Sequence, residues 1–252
     1  MILDHPLISS RYFFPHPCRF ADPFTVDCGE ALLGCHYHLH DPKAMTVVHF
    51  HGNGETVADY LGEFGERFDR MGVNLLLAEY RGYGMSDGEP VLASMLQDVG
   101  SIVSAAGIPQ GKLIFFGRSL GSLYAIHGIQ LFPQASGLII ESGIADPLER
   151  LLLRVTPQEL GVSLEELQAE VLRLMDNREK LAGYCGKTLV MHTRNDGLVD
   201  VTHGERIYGW AGGEKELKIF ERGDHNSILQ VNEREYVALV ERFIRSLQDK
   251  YP

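Results

Sequence analysis

Short apolar runs alternate with longer amphipathic segments along most of the chain. Thr46–Phe50 (TVVHF) is a β-branched apolar run, broken by His51–Gly54. Thr56–Met71 then places Val57, Tyr60, Leu61, Phe64 and Phe68 at spacings of three and four, the stripe of one helix face. Val73–Ala78 (VNLLLA) is apolar throughout, as a parallel strand covered on both faces must be. A helix over Val91–Ala106, a strand at Lys112–Phe116 (KLIFF) and a helix over Leu120–Leu131 follow. Gly137–Ile140, Thr188–Met191 and Leu217–Phe220 read as further strands, and Tyr236–Leu247 as a closing helix. Ahead of this series, Phe24–Cys28 and Ala31–His40 read as two strands joined through Gly29. The β-α order predicts an α/β protein with a mostly parallel sheet and helices on both faces.

The alternation fails once. Between Gly137–Ile140 and Thr188–Met191 lie helical patterns and no strand. Thr156-Pro157-Gln158-Glu159 has a capping residue, a proline at the first helical position and a glutamate at the third. Ser163-Leu164-Glu165-Glu166 is a second capping box, followed by Leu164, Leu167, Val171, Leu174 and Met175 on one stripe. An insertion at about 145–184, at the edge where such sheets bind ligands, is expected to form a short helical lid. The plain alternative is a long crossover. With no linker or repeat in view, residues 1–252 are expected to form one domain.

Charge narrows the partners. Lys and Arg number 23 against 34 Asp and Glu, a formal net charge of −11. That balance argues against nucleic acid, whose phosphates need clustered Lys and Arg, and against a polybasic membrane anchor. No apolar window is long enough for a membrane span. The start, MILDHPLISSRYFFPHP, lacks the pattern of a secretory leader, so a cytoplasmic protein is expected. Cys18, Cys28, Cys35 and Cys185 are expected as free thiols, with a Cys18–Cys28 or Cys28–Cys35 bridge as the alternative. Glycine is in excess, 27 of 252 residues, about 11% against a usual value near 7%.

Two stretches match G-x-S-x-G. Gly117-Arg118-Ser119-Leu120-Gly121 lies between a strand and a helix, so a sharp turn lifts the Ser119 hydroxyl out of the sheet. Gly84-Met85-Ser86-Asp87-Gly88 lies in a glycine-rich loop instead. Ser119 is therefore the expected nucleophile. A serine hydroxyl needs an adjacent base, and the base needs an orienting carboxylate. With such an elbow the chain order is Ser, acid, His. Among His127, His192, His203 and His225, only His225 sits in a loop just past the last strand. His127 is expected to pack within a helix, His192 to be buried at a strand end and His203 to begin a surface helix. Asp196, directly after Thr188–Met191, is favoured as the acid over Asp200 and Glu141. The backbone N–H groups of Leu120 and Asn53, with Gly54 second, are expected to form the oxyanion hole. His51 is expected to buttress that loop.

HGNGE after one strand, EYRGYGMSDGEP after the next, GRSLG, NDGLVD and GDHN occur in this order from about Thr46 onward. Together they resemble the α/β-hydrolase superfamily. Within it the chain looks like the compact serine hydrolases of the serine-aminopeptidase-like and protein-depalmitoylase-like branch. The resemblance implies an α/β-hydrolase fold, a Ser119–His225–Asp196 triad, and acyl transfer to water without a cofactor. It does not fix the substrate, since that branch includes esterases, thioesterases and peptidases; a small-molecule acyl ester is expected, with thioesters and peptides as alternatives. A catalytically inactive binding module is the reading from another class. An interfacial lipid-acting enzyme would rest on Arg11-Tyr12-Phe13-Phe14 and the apolar lid, where Leu151, Leu152 and Leu153 could line an acyl pocket. One stretch departs from the family pattern: His36, His38 and His40 alternate along one strand. H-x-H can hold zinc, but no acid or cysteine stands at ligand spacing, so no metal is expected.

Overall fold

The computed structural model describes residues 1–249. Among them the apolar runs become eight strands of one sheet: β1 (Phe24–Asp27), β2 (Leu32–His38), β3 (Thr46–Phe50), β4 (Asn74–Ala78), β5 (Leu113–Arg118), β6 (Gly137–Glu141), β7 (Lys187–Thr193) and β8 (Lys215–Phe220). Their order across the sheet is β1-β2-β4-β3-β5-β6-β7-β8. β2 runs antiparallel to both of its neighbours, and all other pairs are parallel. The helices are α1 (Pro6–Tyr12), α2 (Glu63–Arg70), α3 (Leu92–Ala106), α4 (Gly121–Leu131), α5 (Pro147–Leu152), α6 (Leu164–Met175), α7 (Asn177–Gly183), α8 (Val201–Trp210) and α9 (Ile228–Gln248). None is long and apolar enough to cross a membrane.

Side chains alternate along each strand, so a doubly covered sheet feeds two cores. Val48, Phe50, Phe115, Leu138, Ile140 and Val190 point to one face, where α3, α4 and α8 pack. Val47, Ile114, Phe116, Ile139, Leu189 and Met191 point to the other, under α2 and α9. The central parallel strands consequently read as largely apolar runs, whereas the edge strand β8 (KELKIF) does not. Their C-terminal ends line up along one edge, as the register pairs Phe50 with Gly117 and Arg118 with Glu141.

Several boundaries differ from the sequence reading. The single helix expected over Thr56–Met71 is two pieces. The Thr56–Asp59 capping box closes a 3-10 turn at Val57–Tyr60, and α2 starts only after Gly62. The capping hydrogen bonds of Thr156 and Glu159 form, but they close a turn and not a helix. Gly161, at φ +70°, takes the chain out of the helical region there. The Ser163 capping box does start α6. The closing helix begins earlier than expected, at Ile228, with a non-helical Asn232 inside it. His203 lies in the first turn of α8, whose outer face is exposed, but its own side chain is buried and accepts from the Ala145 N–H at 3.0 Å.

The four cysteines are free thiols. His38 and His40 both reach Asp69 Oδ1, at 2.8 and 2.9 Å. Among the described residues no group of three or more His, Cys, Asp or Glu is placed to hold a metal ion.

Candidate active site

The edge formed by the C-terminal ends of β3, β5, β6, β7 and β8 gathers the sequence-predicted residues. Ser119 follows β5 directly and sits at φ +51°, in the left-handed region that costs a non-glycine residue energy. Such strain persists because the surroundings leave no alternative. A Cβ on Gly117 would lie 2.6 Å from the Gly121 carbonyl oxygen and from Ser122 Cα. A Cβ on Gly121 would collide with the Phe50 carbonyl and lie 2.7 Å from the His51 carbonyl oxygen. The elbow therefore requires glycine at both ends, because α4 crosses directly over β3 and β5. The Ser119 N–H donates to Glu141 O at 2.9 Å, which ties the turn to β6.

The structure brings Ser119, His225 and Asp196 together. Ser119 Oγ is 2.8 Å from His225 Nε2, and His225 Nδ1 is 2.7 Å from Asp196 Oδ2. All three residues are buried. Asp196 Oδ1 accepts from the N–H groups of Leu198 and Val199, at 2.9 and 2.7 Å. His192 Nε2 lies 2.8 Å from the Val199 carbonyl oxygen and 3.3 Å from Asp196 Oδ2. Burial pushes the Asp196 carboxyl up, but the hydrogen bonds from His192, His225 and the Val199 N–H outweigh it. The net effect holds the group well below the usual carboxylate range, so it stays ionised.

The competing candidates have other places. Asp200 caps α8 and accepts from the Thr202 N–H at 2.9 Å. Glu141 receives Arg118 Nε at 3.1 Å and the Tyr236 hydroxyl. Ser86 Oγ accepts from the Gly34 N–H at 3.0 Å. His127 lies in α4, 3.1 Å from Lys180 Nζ.

Of the two backbone donors expected for an oxyanion hole, Asn53 lies on the loop after β3 and Leu120 at the start of α4. Among the described residues the backbone N–H groups of Asn53 and Leu120 have no acceptor. The Asn53 side chain anchors the N-terminal segment: Oδ1 accepts from the Phe14 N–H at 3.0 Å and the Tyr83 hydroxyl at 2.7 Å, while Nδ2 donates to Tyr12 O. His51 buttresses the loop from below, with Nε2 2.7 Å from Glu79 Oε1.

The sequence reading missed Arg118, the variable residue of the serine motif. Its guanidinium pairs with Glu55 and Glu141 and donates to His225 O at 3.0 Å and Asn226 Oδ1 at 3.3 Å. Glu55 also accepts from the Gly52 N–H, at 2.6 Å. One buried cation thus ties the β3 loop, the elbow, the end of β6 and the His225 loop to each other. A charged residue ending an otherwise apolar buried strand was the available signal.

A cavity of about 220 Å³ opens over Ser119, walled by Tyr12, Phe14, Asn53, Arg150, Arg154 and Leu198 among others. Arg150 and Arg154 come from the stretch between β6 and β7, so that insertion does reach the site.

Known proteins share this frame. The curated sequences similar to it include the Escherichia coli K12 protein named "Uncharacterized protein YfhR", 22% identical over 194 residues, 73% of this chain and 64% of that protein. Mouse "Alpha/beta hydrolase domain-containing protein 17C" is 21% identical over 81% of this chain and 62% of its own length. The chain thus spans less than two thirds of these relatives. Among solved structures, the Pyrococcus furiosus esterase Pf2001 superposes with a TM-score of 0.71 at 17% identity, covering 93% of this chain and 98% of that one. That likeness shows the fold. The sequence pattern of the family described as "Serine aminopeptidase, S33" (Hydrolase_4) matches residues 41–172, more than half of the chain. With the ordered motifs and the eight-stranded sheet, this match shows that the chain belongs to that family of α/β hydrolases.

Proposed function

We propose that this protein is a serine hydrolase that cleaves small acyl esters through Ser119, His225 and Asp196. The observation that carries the reading is the continuous chain from Ser119 Oγ to His225 Nε2 and from His225 Nδ1 to Asp196 Oδ2, at 2.8 and 2.7 Å. In it, His225 takes the Ser119 proton as the oxygen attacks the substrate carbonyl. Asp196 holds the imidazole in the tautomer that leaves Nε2 free to accept, and stabilises the imidazolium that forms. The Asn53 and Leu120 N–H groups receive the negative charge developing on the carbonyl oxygen. Nε2–H then protonates the leaving alcohol. Water, deprotonated by the same nitrogen, cleaves the acyl-enzyme and regenerates Ser119.

Two features favour an ester over the family's peptide substrates and over long acyl thioesters. An aminopeptidase must hold a substrate ammonium, yet among the described residues no Asp or Glu lines the Ser119 cavity. The cavity, at about 220 Å³, is also smaller than the ~300–1,000 Å³ typical of drug-sized ligand sites, which suits short acyl groups. The α5–α6 stretch acts in this reading as a cover over the site, within a single domain.

A series of p-nitrophenyl esters from acetate to palmitate, with alanine p-nitroanilide beside it, tests the reading. Turnover should peak at or below hexanoate and exceed that of the anilide. No turnover of any ester, or an anilide cleaved faster than every ester, would overturn it.

A further inference from the structure

The protein is acidic overall, with a formal net charge of −11, yet the Ser119 cavity is walled by charge of the opposite sign. Arg118, Arg150 and Arg154 line it, and none of the described lining residues is Asp or Glu. Arg118 is neutralised by Glu55 and Glu141. Arg150 and Arg154 form no ion pair within 4 Å among the described residues, although Glu149 acts on Arg150 through space. Glu149 pairs with Arg206, Glu159 with Arg11, and Asp146 caps α5. Asp196 lies behind His225, held by His225 and two backbone N–H groups.

The two guanidiniums are positioned and not merely present. Arg150 contacts the Tyr12 hydroxyl, and its Nε is buried with no hydrogen-bond partner. Arg154 lies over the Phe14 ring, 5.4 Å from its centroid, and its carbonyl accepts from Arg11 at 3.1 Å. Both side chains are thereby steadied by the N-terminal segment that Asn53 anchors. Guanidinium groups suit carboxylates because their donors match both oxygens at once.

We infer that Arg150 and Arg154 bind a carboxylate at the distal end of the acyl group, so that the preferred substrates are half-esters of short dicarboxylic acids. This rests on the esterase reading for its catalytic part. The anion subsite itself can be measured without turnover.

The kinetic test compares p-nitrophenyl adipate half-ester with p-nitrophenyl hexanoate, equal in chain length and different in charge. The ratio of their kcat/KM values should favour the half-ester roughly tenfold, the effect of one charge-assisted hydrogen bond. Arg150→Met should reduce that ratio roughly tenfold, and Arg150→Lys should restore part of it. Arg154→Met, at an exposed side chain, should reduce the ratio too, and it covers the case where Arg150→Met fails to fold. The binding test uses Ser119→Ala protein and calorimetry with adipate, 1,6-hexanediol and inorganic phosphate. Adipate should bind, hexanediol should not, and adding Arg150→Met should weaken adipate roughly tenfold. Adipate binding without hydrolysis of any ester would sink the esterase reading and leave the subsite standing. Hydrolysis with a ratio near one in wild type, or unchanged in both arginine variants, would overturn the subsite and leave the esterase reading standing. Phosphate binding in preference to adipate would overturn the carboxylate assignment.

Discussion

Replacing Arg118 by methionine keeps most of the side-chain volume and removes the cation that joins four segments of the site. The Arg118 and Glu141 side chains are 10% and 5% exposed and face each other as cross-strand partners. Removing one member of a buried pair costs about 3–5 kcal/mol, because the other charge is left without compensation. The low end applies here, since Glu55 is 24% exposed and stays in contact with water. Hydrogen bonds to His225 O and Asn226 Oδ1 go too, at about 1 kcal/mol each, partly replaced by water. The expected loss is about 4 kcal/mol at pH 8, severe against a typical stability of about 5–15 kcal/mol.

The loss should depend on pH in a definite sense. Burial pushes the Glu141 carboxyl above its usual value, and Arg118 and the Tyr236 hydroxyl pull it back only in part. Without Arg118 it rises further. A carboxyl with a raised folded-state pKa penalises folding above that pKa. The penalty fades as pH falls towards the unfolded value near 4.3, because the folded state then keeps its proton. Urea unfolding of wild type and Arg118→Met, followed by circular dichroism at pH 8 and pH 5, measures both. A loss below about 1 kcal/mol at pH 8, or equal losses at the two pH values, would refute the reasoning.

Other substitutions separate chemistry from packing. Asp196→Asn keeps an oxygen for the Leu198 and Val199 N–H groups but turns an amide donor towards His225, so Nε2 carries the proton and cannot accept from Ser119; kcat should fall about 10⁴-fold in a p-nitrophenyl ester assay. The same variant should lose less stability than wild type between pH 6 and pH 3. The depressed Asp196 pKa contributes stability that is present above about 3.9 and lost as pH falls through the folded value, and parallel urea midpoints would contradict this. Gly121→Ala should cost about 3 kcal/mol in urea unfolding, since its Cβ meets backbone of Phe50 and His51 that cannot move cheaply. Gly209→Ala, in exposed helix with no heavy atom within 4 Å of the new Cβ, should instead add about 0.5–1 kcal/mol.

Much of this architecture was readable from the chain, for physical reasons that also explain the misses. Buried parallel strands demand unbroken apolar runs, so TVVHF, KLIFF and GLII announced β3, β5 and β6. The nearness of Ser119 and His225 was legible because each follows a strand end, where an apolar run stops and glycines begin. Boundaries set by local turn chemistry were less legible. Thr156 and Glu159 make the hydrogen bonds of a helix start, but Gly161 ends the turn before a helix can propagate. Thr56–Met71 shows one apolar stripe, and the break at Gly62 leaves that stripe intact while splitting the helix. The residues around Ser119 and His225 depend on tertiary neighbours that no local pattern encodes. Arg118 finds Glu55, Glu141 and His225 from three other segments, and Arg150 meets Tyr12 from the far end of the chain. The net charge of −11 likewise gives no hint that Arg118, Arg150 and Arg154 meet at one cavity wall.

The central claim is that Ser119 is a nucleophile activated by His225. Intact-mass measurement after treatment with an active-site fluorophosphonate tests it most directly. Wild type should gain one adduct, mapped by peptide digestion to Ser119, while Ser119→Ala gains none and His225→Ala labels at least a hundredfold more slowly, on the order expected for loss of a general base. Equal labelling of wild type and Ser119→Ala, or an adduct mapped to another residue such as Ser86, would contradict the account.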